Sequence, residues 1–85
     1  MLREITELGF TKIKELTSTI AYLSASFPVT ARSLELTAYD AMCMGFSEEY
    51  ILSGILPLQA EASALGFHVD VCKVLRQVER AGRVK

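Results

Sequence analysis

Ile13, Leu16, Ile20, Leu23 and Phe27 step along the chain in threes and fours, and Pro28 follows at once. That spacing keeps returning to one side of a helix and to neither face of a strand. The residue before a proline is pushed out of helical geometry, so Phe27 closes the segment. Residues 2–26 therefore read as one long amphipathic helix. Carried backward, the seam meets Gly9 and Thr6, while Leu2, Ile5 and Leu8 continue an apolar face at a shifted phase. Steps of three and four are also the a and d spacing of a coiled coil. The helix is expected either to join two copies of the chain or to pack on its own domain.

The remaining residues punctuate further helices. Thr30 or Ser33 can cap a second one, with Leu34, Ala38, Ala41 and Met42 on one face. Gly45 can end it in a left-handed conformation. Ser47 caps the next, whose first turn holds Glu48 and Glu49, where the helix dipole favours acids. Its buried stripe is Ile51, Leu52, Ile55 and Leu56. Pro57 is expected to break that helix and open another, from about Leu58 to Leu65. Gly66 turns the chain into a last helix from about Val69 to Ala81, with Gly82 as its stop. No stretch sustains strand alternation. The expected fold is all-α, a small bundle of about five helices in one domain. Three echoes, "ELGF" at 7–10, "CMGF" at 43–46 and "ALGF" at 64–67, are too irregularly spaced for a repeat array. Each reads as a helix ending in glycine whose following aromatic folds back onto the core.

At 85 residues there is room for one domain, and a domain so small buries a limited share of its surface. Yet 51% of the residues are hydrophobic and 22% charged, so a dense core or a partner is needed, a homodimer being the simplest. No apolar run approaches the ~20 residues that span a bilayer. Met1-Leu2-Arg3-Glu4 places no basic region before an apolar block, which argues against a signal peptide. Cys43 and Cys72 lie in apolar helical contexts without metal or redox spacing. They are expected to be buried free thiols in a reducing cytoplasm. No cofactor motif is present.

Charge is unevenly placed. Residues 1–70 carry four Lys/Arg and nine Asp/Glu, net −5, whereas residues 71–85 carry five Lys/Arg and Glu79 alone, net +4. A basic end on an acidic body suggests an anionic partner, though a helix C-terminus also favours cations. On a wheel of about 100° per residue, Val71, Val74, Leu75, Val78 and Ala81 cluster on one side. Lys73, Arg76 and Arg80 cluster almost opposite. In "ASALGFHVDVCKVLRQVERAGRVK" the small residue Ala62, the turn glycine Gly66, flanking Leu65 and Phe67, and inward Cys72 and Leu75 meet the needs of a helix-turn-helix. The wheel places Cys72 at the margin instead.

On these residues the stretch 47–85 resembles the three-helix core of winged-helix transcriptional regulators. "EEYILSGIL" would be the first helix, "LQAEASAL" the second and "VDVCKVLRQVERAG" the recognition helix. The resemblance implies a helix offered to the DNA major groove. Position 72 would usually be β-branched, and Asp70 would either accept from a cytosine amino group or cap the helix. The resemblance would continue into a wing hairpin, which the residues up to Lys85 do not include.

The leading expectation is a small cytoplasmic regulator that occupies double-stranded DNA, helical throughout and dimeric. Lys73, Arg76, Arg80 and Arg83 would meet phosphates or bases, with Gln77 and His68 as candidate readers. His68, the one histidine, can also be a cap or simply exposed. The alternative is a helical protein–protein adaptor or anti-regulator, which accounts for the acidic body and apolar content. A longer winged-helix protein cut where its wing would start is a third reading. An enzyme ranks last: no metal pair of histidines, phosphate loop or nucleophile beside a base is evident. Glu48 and Glu49 point apart on a helix. Tyr22, Tyr39, Tyr50, Met42 and Met44 read as core or interface residues.

Overall fold

The computed structural model describes residues 2–67 and 69–83, and the side chains of residues 3–67 and 69–80. Five helices follow in order: α1 (Leu2–Glu7), α2 (Ile13–Ser26), α3 (Ala31–Cys43), α4 (residues 48–64) and α5 (Val71–Arg83). No strand occurs among the described residues. The all-α expectation holds.

The expected single helix over 2–26 is two helices. Gly9 takes φ 100°, a conformation that side chains other than glycine's resist. The Phe10 N–H then donates to the Ile5 carbonyl at 3.3 Å and the Gly9 N–H to that of Thr6 at 2.9 Å, a Schellman closure. Phe10 folds inward and is buried beside Ile5. Gly45 and Gly66 close α3 and α4 by the same pair of bonds, from Phe46 to Ala41 and from Phe67 to Ala62.

The seam of α2 is spent inside the chain. Leu16, Ile20 and Leu23 are buried, and Ile13 and Phe27 pack partly buried against them. They meet α3 and α4, so intrachain packing, not a coiled coil between copies, is the use this helix finds. α3 is central, touching α1, α2, α4 and α5. Its buried positions Ala38 and Ala41 are small, which lets neighbouring helices approach closely. Thr30 supplies its N-cap, accepting from the Ser33 N–H at 3.1 Å.

Pro57 does not break α4. The helix runs through Glu48–Tyr50, a π-helical Ile51–Ile55 and Leu56–Ala64 without interruption. In an ordinary α-helix the Pro57 ring would press on the Ser53 carbonyl and leave it without a donor. The widened π turn immediately before it, in which the Leu56 N–H donates to Ile51, makes room for the ring. Ile51, Ile55, Leu56 and Ala60 are thereby all buried on one helix.

Other expectations shift. α5 starts at Val71, because Asp70 caps it, and it continues through Gly82 to Arg83. Glycine there costs a helix about 1 kcal/mol relative to alanine but does not forbid it. Cys72 is buried, whereas Cys43 is exposed. Tyr39 is partly buried, while Tyr22 and Tyr50 are exposed, which excludes them from the core but not from an interface. No helix of the described residues is long and apolar enough to cross a membrane. The molecule is a slab, 39 × 31 × 17 Å, so broad faces lie open.

Candidate nucleic-acid interface

The last hairpin, α4 to α5, is anchored by four side chains near the start of α5. Gln59 is a buried polar residue on α4, 8% exposed. Its Oε1 accepts the Val71 N–H, and its Nε2 donates to the Val69 carbonyl, both at 3.3 Å. It pairs backbone groups that the turn would otherwise leave without partners. Asp70 Oδ1 accepts the Lys73 N–H at 3.3 Å, so of its two expected roles it fills the cap. Cys72 Sγ donates weakly to the Thr37 carbonyl of α3 at 3.6 Å. Burial pushes its thiol up to about 11, with Asp70 and Asp40 adding to the shift. Arg76 Nη1 donates to the Met44 carbonyl at 3.2 Å and lies 3.9 Å from Glu79 Oε2.

These anchors aim the outer face of α5. Lys73, Arg76, Gln77 and Arg80 follow one another by three, one and three residues, and all four are exposed. The side chains of Lys73, Gln77 and Arg80 meet no partner among the described residues, so two cations and an amide are free to engage an external group. Arg76 is half-committed to its own chain. His68 lies outside the described residues. Arg83 ends α5, and its side chain lies outside them too. Four of the six expected residues, Lys73, Arg76, Gln77 and Arg80, thus share one surface of α5.

It missed Gln59, Thr37 and Met44, which set the pose of that surface. A glutamine among the inward positions Leu56 and Ala60 was the one available signal. The carbonyls of Thr37 and Met44 leave no trace in side-chain identity.

The opposite side of α5 is less covered than the wheel implied. Val71 and Cys72 are buried and Leu75 is partly so, but Val74 is 46% and Val78 63% exposed. The helix is gripped by its first turns and stands clear further on. Where winged-helix proteins have separate first and second helices, 48–64 is continuous here. α3 instead lies against both α4 and α5. Among the described residues no group of three His, Cys, Asp or Glu could hold a metal ion. No known protein family, curated protein or solved structure matches the chain.

Proposed function

We propose that the chain is a small regulator that binds duplex DNA through the outer face of α5. The observation that carries this is the coincidence of an exposed Lys73–Arg76–Gln77–Arg80 stripe with a helix anchored in pose after a glycine turn. Cations on a rigid helix displace the condensed counterions of DNA, and Gln77 can pair with an adenine edge in the major groove. Three cations imply modest affinity, within the non-specific range of about 10⁻⁴ to 10⁻⁶ M. Fluorescence anisotropy with a random-sequence duplex tests it. Three phosphate contacts give a log–log salt slope of about −2.7, which is an about 40-fold loss between about 50 and 200 mM salt. Replacing Lys73, Arg76 and Arg80 with alanine should abolish binding and leave the circular dichroism unchanged. Absence of binding at low salt, or an unaltered affinity in the triple variant, would sink the regulator.

A helical protein–protein adaptor is the second reading. The exposed Val74 and Val78 favour it, because a helix that only read DNA would have no use for them.

A further inference from the structure

Where the start of α4 passes α5, the two leave a cleft of about 410 Å³ between them. Phe46, Ser47 and Tyr50 line it from the turn after α3 and the first turn of α4, and Leu75, Val78 and Glu79 line it from α5. Three local arrangements build it. Gly45, at φ 88°, closes α3 and brings Phe46 back to lie partly buried against the core. The Ser47 hydroxyl accepts the Tyr50 N–H at 3.2 Å and so fixes the first turn of α4. Gly54 lies one turn beyond Tyr50, and a Cβ there would stand 3.0 Å from Tyr50 Cε1. Glycine inside a helix costs about 1 kcal/mol relative to alanine. Here it leaves room for the tyrosine ring against α4. The Phe46 and Tyr50 rings then meet at 5.7 Å between centroids, their planes tilted by 44°.

We propose that this cleft binds a small organic cation, an ammonium group carried on an aromatic or branched apolar body. A cleft of about 300–1,000 Å³ with an apolar, aromatic lining and few polar groups is the ordinary make-up of a small-molecule site. Its polar group decides the class of occupant. Glu79 is the one charged side chain in the lining among the described residues. Arg76 approaches it only to 3.9 Å, because the Arg76 Nη1 donates to the Met44 carbonyl at 3.2 Å. A carboxylate offers about four lone-pair sites, so Glu79 can take an ammonium donor beside Arg76. Aromatic faces attract positive charge as well. The net −5 of residues 1–70 adds a field of the same sign, which an anion would have to oppose. The occupant would touch α4 and α5 together, cover Val78, which is 63% exposed, and hold the outlying turns of α5 to the body. The site goes beyond the DNA reading and does not depend on it.

NMR titration of the full chain at constant ionic strength tests the site with three compounds of one shape: 2-phenylethylammonium, neutral 2-phenylethanol and anionic 3-phenylpropanoate. The ammonium should shift the amides of residues 45–50 and 75–79 saturably. The alcohol should bind about fivefold more weakly, the worth of an exposed ion pair, and the carboxylate more weakly still. Amide exchange over residues 75–79 should slow when the ammonium is bound. Glu79→Gln should erase the difference between ammonium and alcohol. Gly54→Ala, which favours the helix but crowds Tyr50, should weaken both alike. The absence of a saturable shift with the ammonium overturns the proposal. So does a wild type that binds the alcohol or the carboxylate as tightly, or a preference for the ammonium that survives Glu79→Gln. None of these outcomes decides the anisotropy experiment on DNA.

Discussion

Two cysteines of one chain sit in opposite surroundings. Cys43 is exposed at the end of α3, and Cys72 is buried with its thiol pushed up to about 11. The thiolate is the reactive form, so burial and that shift both protect Cys72 near neutral pH. A thiol reagent should titrate one cysteine quickly in the native protein and the second only when denaturant is added. Rapid reaction of both would contradict the packing of α5 on α3. Gln59 makes a second residue-scale test. Gln59→Ala leaves the buried Val71 N–H without its acceptor and should cost about 1–3 kcal/mol, read as a lower denaturant midpoint. Neither effect was legible in the sequence: apolar surroundings suggested burial for both cysteines, and the partners of Gln59 are backbone atoms.

Among elements, the inner faces were the legible part. Leu16, Ile20 and Leu23, then Leu34, Ala38 and Ala41, then Ile51, Ile55 and Leu56 are buried as their periodicity implies. Helix ends were read less well, for reasons that are local. Gly9 stops α1 despite a continuing apolar face, because its left-handed backbone closes the carbonyls of the last turn. Pro57 fails to stop α4, because the chain widens a turn ahead of it. Cap and turn chemistry decides these positions, and hydrophobic spacing is blind to it. Gly66, at φ 84°, carries the prediction for this scale. Gly66→Ala should cost about 1–2 kcal/mol, the penalty of a left-handed side-chain-bearing residue. Hydrogen exchange should quicken in α5 more than in α2 if the turn is what holds the last helix down.

Across the whole molecule, distant segments are tied by few polar links. The loop after α1 meets the start of α4 where Glu48 accepts from the Thr11 backbone N–H and, at 2.9 Å, from its hydroxyl. Lys12 pairs with Glu49 at 3.3 Å beside it. The Thr11 amide, then its hydroxyl, hold the Glu48 carboxyl below its ordinary value of 4.5. A carboxyl more acidic folded than unfolded adds stability above that ordinary value and loses it as pH falls through the folded one. Thermal stability of the wild type should therefore exceed that of Glu48→Gln near neutrality, with the gap closing below pH 4.5. A gap that persists in acid would mean the carboxylate is not what joins the two segments. The candidate surface was legible at this scale as a charge imbalance, but the pose of α5 on α3 and α4 was not, since it depends on contacts far apart in sequence.

The bareness of α5 on two sides has a geometric corollary. Valines and cations project almost back to back from it, so duplex laid along the cations would leave Val74 and Val78 uncovered. Val78→Ser should therefore leave the anisotropy titration with duplex DNA unchanged, and a loss of DNA affinity in that variant would mean that the two sides are not separate.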